Sequence, residues 1–244
     1  MLANPQHRLC LWSGPRNVST ALMYAFANRS DTRVVDEPLY GHYLRVSGAP
    51  HPGADAVMAA MDCDAGSVIQ NVILGPCDRP VLFHKSMAHH LVELDWSFLK
   101  QTTNLLLIRD PIEMLPSLGK VLSRPGLDDT GLKKQVELLN YLKALGQDVP
   151  VLDARELLLN PEHVLKQLCR RLDLGFEQGM LHWPAGPIYA DGVWAPYWYE
   201  NVHKSTGFQP YHSKTGPFPE KLRPLLADCQ PYYRQLSDNA IKAD

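Results

Sequence analysis

Five short, mostly apolar runs are the strongest constraint on how this chain folds. They lie at 8–12, 33–37, 80–85, 103–108 and 148–153. Helical patterning fills the spaces between some of them, first at 21–26 and then from about 130 to 145. In the second stretch Leu132, Val136, Leu139, Leu142 and Leu145 recur at three- and four-residue steps, which predicts one buried helix face. Strands without polar alternation, separated by helices, predict a parallel sheet covered on both faces: an α/β fold of three layers, αβα. From Pro219 the chain returns to a helical pattern containing Leu222, Leu225 and Leu226.

In such sheets ligands bind beyond the carboxyl ends of the strands. The polar residues that stand out, at 13–20, 37, 85 and 109, all fall at those ends. The chain has 244 residues, 45% of them hydrophobic, which suits one α/β domain spanning 1–244. The stretch from about 183 to 219 differs, being irregular and aromatic-rich. It carries Trp183, Tyr189, Trp194, Tyr197, Trp198, Tyr199, Phe208 and Tyr211. A long connection of this kind reads as a lid or binding loop, or as an aromatic satellite core pinning a loop.

Composition narrows the function classes. A formal charge of −2 provides no cationic field for nucleic acid or a membrane surface. The apolar runs, such as 105–108, fall far short of a bilayer span. Pro5, His7 and Arg8 stand where a signal peptide would need its apolar region. Cysteines at 10, 63, 77, 169 and 229 form no CxxC pair, and the expectation is reduced thiols in the cytoplasm. The ten histidines include no HxxxH or HExxH pair, so no metal is expected.

A loop entering a helix exposes unpaired backbone N–H groups and the positive end of the helix dipole, which makes an anion site. In the run Gly14, Pro15, Arg16, Asn17, Val18, Ser19 and Thr20 the first two shape the turn. Arg16 adds a cation, and Ser19 and Thr20 add hydroxyls. No GxxxxGK[ST] occurs, which weakens an ATP- or GTP-binding reading. The alternative is a helix capped by Asn17 or Ser19.

Further on, Arg109 closes the fourth run, and Ser117 follows eight residues later. With these residues in place, the chain resembles the sulfotransferases that use 3′-phosphoadenosine 5′-phosphosulfate (PAPS), particularly the bacterial and carbohydrate-type members. That family pairs a strand–loop–helix motif for the 5′-phosphosulfate with an Arg–(seven residues)–Ser motif for the 3′-phosphate. The stretches 152–162, 164–169 and 172–176 are similar to the strand and helix that follow, and 204–208 to a late loop over the nucleotide.

The resemblance implies a P-loop nucleoside triphosphate hydrolase-like fold, PAPS as co-substrate, 3′,5′-ADP as product and a small-molecule or carbohydrate acceptor with a hydroxyl or amine. It also implies that Ser205 and Thr206 close over the nucleotide. Arg16 stands where many family members carry a loop lysine. It keeps the charge without being able to act as an acid near neutral pH. Pro116 predicts that a helix starts or bends just before Ser117.

Sulfuryl transfer gains from a base that takes the acceptor's proton. Glu37, after the second strand, is the candidate, and Asp36 is expected on the opposite face of that strand. Lys85 either stabilises charge on the transferred group or orients Glu37. Glu37 read as a structural partner for Arg16 or Lys85, and Arg109 paired with Asp110 or Glu113, are the alternatives for those residues. His42, His84, His89 and His90 are alternative bases. Three other functions remain open on sequence: a phosphotransferase on the same scaffold, a non-catalytic nucleotide-binding protein, and a structural protein with an aromatic-rich interaction loop.

Overall fold

The first strand is buried on both sides. Leu9 and Leu11 point into one core, while Cys10 and Trp12 point into another. The fourth strand repeats the division, with Leu105 and Leu107 on the first side and Leu106 and Ile108 on the second. A sheet with two apolar faces must be covered twice, which explains the absence of polar alternation in these runs. The structure, a computed structural model, describes residues 5–213 and 216–244. Residues 214 and 215 of the expected 183–219 loop region lie outside the described residues.

Six strands form one all-parallel sheet: β1 (His7–Ser13), β2 (Thr32–Asp36), β3 (Val81–Met87), β4 (Thr103–Ile108), β5 (Val151–Asp153) and β6 (Ala240–Ile241). Their order across the sheet is β2-β3-β1-β4-β5-β6. The five expected strands are present. The two-residue β6 had no recognisable pattern, and β5 begins only at Val151.

Among the described residues, six helices have eight residues or more: α1 (Ser19–Ala27), α2 (Tyr40–Ser47), α3 (Pro111–Leu118), α4 (Leu132–Ala144), α5 (Pro161–Arg171) and α6 (Arg223–Ser237). Helices α1 and α5 cover one face of the sheet, and α3, α4 and α6 cover the other. The fold is therefore a three-layer αβα sandwich of the P-loop-like kind. No helix among the described residues is long and apolar enough to cross a membrane.

The chain leaves central β1 toward one edge of the sheet and later returns to lay β4 on its other side. This reversal opens a crevice at the carboxyl ends of β1 and β4. Gln135 of α4, fully buried, ties the two strand ends together. Its Nε2 donates to the carbonyls of Trp12 and Leu107, both at 2.9 Å.

The aromatic-rich region does two things at once. Trp183 sinks into the core under α1, and Trp194 and Tyr199 build a smaller cluster with Tyr40, Tyr43 and Leu44 of α2. Satellite core and cavity wall are here the same residues.

Candidate active site

The loop after β1 is shaped by two backbone constraints. A Cβ on Gly14 would stand 2.6 Å from the Thr130 carbonyl oxygen, so the loop and the segment before α4 meet at a distance only glycine allows. Arg16 adopts φ +54°, in the left-handed region that non-glycine residues seldom enter. Asn17 holds the loop down, its Nδ2 donating to the Leu107 carbonyl at 3.0 Å while its Oδ1 accepts from the Val18 N–H at 2.8 Å.

That second bond lies outside the helix. No side chain caps α1, so neither Asn17 nor Ser19 plays the capping role weighed for it. The N-terminal N–H groups of a nine-residue helix stay open to an anion.

Pro15 to Ala21 of this loop line a cavity of about 420 Å³. Arg109 and Ser117 line it as well. The Arg109 Nη1 donates to the Arg16 carbonyl at 3.0 Å, and the Arg16 Nε donates to the Ser117 Oγ at 3.0 Å. The two expected anion sites are one connected structure. Burial, and after it the Arg109 charge, press the Arg16 guanidinium below its ordinary pKa. Arg109 also meets Glu113 at 3.4 Å, yet its Nε is buried without a partner among the described residues. Two adjacent guanidiniums and an orphaned buried donor fit an anionic ligand.

Helix α3 contains Pro116 in its body and begins earlier, at Pro111, with the Asp110 side chain capping the Ile112 N–H at 2.9 Å. The expected start at Pro116 is thus displaced by a stronger signal, an Asp cap followed by proline at the first helical position. Ser117 reaches the cavity from the last turn.

A second cluster, built on carboxylates, reaches the same cavity through Glu37 and Lys85. Lys85, fully buried at the end of β3, places Nζ 3.0 Å from the Asp36 Oδ1, 2.7 Å from the Tyr199 Oη and against the Glu37 Oε1. Tyr199 donates to the Asp36 Oδ2 at 2.6 Å and accepts from the Trp194 Nε1 at 3.0 Å. Burial works against the Lys85 charge, but Asp36 and Glu37 outweigh it and hold its pKa above the ordinary value. Burial pushes Asp36 up to about 6 despite Lys85.

Asp36 therefore does not face away from Glu37. β2 ends at Asp36, and Glu37 turns to φ +42°, which breaks strand alternation and brings both carboxyls to one ammonium. The Glu37 N–H is fixed to the Lys85 carbonyl at 2.7 Å.

The histidines divide sharply. His84 is buried on the far side of β3, against the Leu9 and Val72 carbonyls, with its pKa lowered by burial to about 4. His42 bonds the Val92 carbonyl. Neither lines the cavity, whereas His89, His90 and the unanticipated His51 do. Burial lowers His89 to about 3 and holds His90 well below its ordinary value. His90 lies between the stacked rings of Tyr40 and Tyr43, its Nε2 3.9 Å from the Glu37 Oε2.

Ser205 lines the cavity, but its Oγ is committed to the Val202 carbonyl and the Trp183 Nε1. Thr206 is exposed and outside the lining, and the late loop contributes Gly207 and Phe208 instead. Gly14 supports the loop from beneath without lining the cavity. Sequence reasoning placed Trp194 and Tyr199 in an aromatic loop without their roles and missed Gln135; the partners of Tyr199 on β2 and β3, and those of Gln135 on β1 and β4, lie far away along the chain.

A family model described as a sulfotransferase domain matches residues 7–240. The chain belongs to this family. Sulfuryl transfer is the chemistry the family is named for, and the sulfotransferase fold extends over the whole described sheet. The sulfotransferase domain from the curacin biosynthetic pathway superposes with a TM-score of 0.58 at 16% identity, covering 96% of this chain and 99% of its own. The sulfotransferase domain of the Synechococcus PCC 7002 olefin synthase gives 0.53 at 16% identity, over 92% and 94%. A sulfotransferase from Alicyclobacillus acidocaldarius gives 0.53 at 12%, over 97% and 95%.

At these identities the likeness is one of fold. Two curated relatives from Arabidopsis thaliana, branched-chain-amino-acid aminotransferase-like proteins 2 and 1, are 38% and 40% identical over 226 residues. The match takes in 92% of this sulfotransferase-family chain and 40% of each relative's length.

Proposed function

We propose that this domain moves a sulfuryl group from PAPS to a hydroxyl or amine on a small-molecule or carbohydrate acceptor. One observation carries the reading. Arg16, Arg109 and Ser117 are bonded together in the lining of a cavity that Glu37, held on Lys85, also lines. A donor with two separate anionic groups needs two neighbouring anion sites, and a transfer reaction needs a base within reach of them.

The open N-terminus of α1 and Arg16 would receive the 5′-phosphosulfate, and Arg109 with Ser117 the 3′-phosphate. The acceptor gives its proton to the Glu37 carboxylate as its oxygen or nitrogen attacks sulfur. The bond from sulfur to the 5′-phosphate oxygen breaks, and its electron pair leaves with 3′,5′-ADP. Arg16 and the α1 dipole meet the charge that develops there. Lys85 keeps Glu37 aimed, and the aromatic wall excludes water. The five cysteines are all free, four of them buried, which supports a reducing, cytoplasmic setting.

The test has two arms. Thermal stabilisation by 3′,5′-ADP should exceed that by 5′-AMP and by ATP with Mg²⁺ at equal concentration. Transfer of labelled sulfate from PAPS should then appear with at least one acceptor from a panel of alcohols, phenols, amines and sugars. Equal stabilisation by 3′,5′-ADP and 5′-AMP would remove the 3′-phosphate site and the proposal with it.

A further inference from the structure

Two clusters of opposite charge contribute to the cavity lining. Arg16 and Arg109 make one positive. In the other, Lys85 is shared between Asp36 and Glu37, so that group of three carries a formal charge of −1. Asp129, which also lines the cavity, adds a second negative charge. Its Oδ2 is held by the Gly126 N–H at 2.7 Å. His51, His89 and His90 add no compensating charge near neutral pH, because burial lowers all three. The pull of Glu37 and Asp129 reaches the His51 ring from both, against burial, and Asp129 acts on the Tyr43 hydroxyl as well. The His90 Nδ1, in a side chain 1% exposed, has no partner among the described residues.

Tyr40, Tyr43, Trp194 and Trp198 line the same cavity, together with the Tyr199 that bonds Asp36 and Lys85. The Tyr40 and Trp194 rings meet at 90° with centroids 5.3 Å apart. His51 sits 5.8 Å from Tyr40, 5.7 Å from Tyr43 and 6.1 Å from Trp198. An anionic acceptor would meet Glu37 and Asp129, and among the described lining residues the one lysine is already paired twice. A cation would gain from the carboxylates and from the aromatic quadrupoles together.

Resting on the sulfuryl-transfer reading, we infer that the acceptor is a small alcohol bearing a cationic nitrogen, its ammonium held by the Tyr40, Tyr43, Trp194 and Trp198 rings and the Asp129 carboxylate, its hydroxyl at Glu37. Bound 3′,5′-ADP or PAPS adds further negative charge next door and strengthens the preference.

Isothermal titration of the full chain, saturated with 3′,5′-ADP, measures this directly. Two pairs of probes match in shape and differ in charge: choline against 3,3-dimethylbutan-1-ol, and tyramine against 4-ethylphenol. Hydroxypivalate supplies an anionic alcohol. One cation at least should bind about tenfold or more tightly than its neutral partner, with hydroxypivalate weakest. Asp129→Asn and Trp198→Leu should each reduce that ratio to about threefold or less while 3′,5′-ADP affinity holds. The inference is overturned if neither cation exceeds its partner, if hydroxypivalate binds as well, or if the ratio survives both substitutions. Failure of the sulfotransferase reading would show separately, as loss of 3′,5′-ADP binding in the same titrations.

Discussion

The Arg109 side chain donates to the backbone carbonyl of Arg16 at 3.0 Å, so the residue that closes β4 also holds the loop that follows β1. On the proposed reading a single guanidinium serves both phosphates of the donor, one by charge and one by bracing the loop. Its alanine variant should bind 3′,5′-ADP no more tightly than 5′-AMP, a loss of about 1.5–3 kcal/mol for a charged hydrogen bond. Arg109→Lys should recover only part of it, since an ammonium lacks the planar fork needed for carbonyl and phosphate together. Measured Kd values for the two nucleotides decide the matter, and retained discrimination in the alanine variant would count against the role.

Glu37→Gln keeps the size of the side chain and removes the basic oxygen. With Glu37 as the base, sulfuryl transfer should fall by about 10²-fold or more. 3′,5′-ADP affinity should stay within about twofold, because Glu37 belongs to the cluster on Lys85 and not to the one that joins Arg16, Arg109 and Ser117. Full turnover in the variant would transfer the base role to His90, its neighbour at 3.9 Å.

Gly14 faces the Thr130 carbonyl so closely that one methyl group forces the backbone to move. Gly14→Ala should lower stability by about 1–3 kcal/mol, the range for overpacking. It should also weaken 3′,5′-ADP binding, because the displaced segment carries Arg16 and Asn17. Denaturant unfolding and nucleotide titration on the same sample test both halves.

Asp36 makes stability depend on pH. Its pKa in the folded chain is raised from 3.8 to about 6, chiefly by burial. Between those values the folded state holds a proton that the unfolded state has lost, so the Asp36 contribution is fully present below about pH 4 and is lost as pH rises through 6. The slope approaches about 1.4 kcal/mol per pH unit for one proton. Asp36→Asn should flatten the stability profile between pH 4 and 6. An unchanged profile would show that Lys85 keeps Asp36 ionised throughout.

Much of this layout could be read from local pattern. β1, β3 and β4 announce themselves because both faces are buried, and α4 because Leu132, Val136, Leu139 and Leu142 share a face. The anion loop was visible because glycine, proline, arginine and hydroxyls sit where a strand gives way to a helix. What stayed hidden depends on contacts across long separations or on one unusual torsion. Strand alternation predicts Asp36 and Glu37 on opposite faces, and the positive φ of Glu37 overrides it. The aromatic run around Tyr199 was conspicuous, but nothing local says that its hydroxyl reaches Asp36 and Lys85. β6, two residues long, is a strand only because β5 lies beside it.

Lys85 gives the sharpest test of the carboxylate cluster. Its ammonium is fully buried and is the cation shared by two buried carboxylates. Lys85→Met fills the same space but leaves Asp36 and Glu37 facing each other without a counter-charge, which should cost about 3–5 kcal/mol. Adding Asp36→Asn and Glu37→Gln removes both stranded charges and should restore most of that stability, although not transfer activity. The comparison isolates electrostatics from packing, because the methionine is present in both proteins. If the triple variant unfolds as readily as Lys85→Met alone, the lysine stabilises β3 through its packing, and the charge balance assigned to this cluster is wrong.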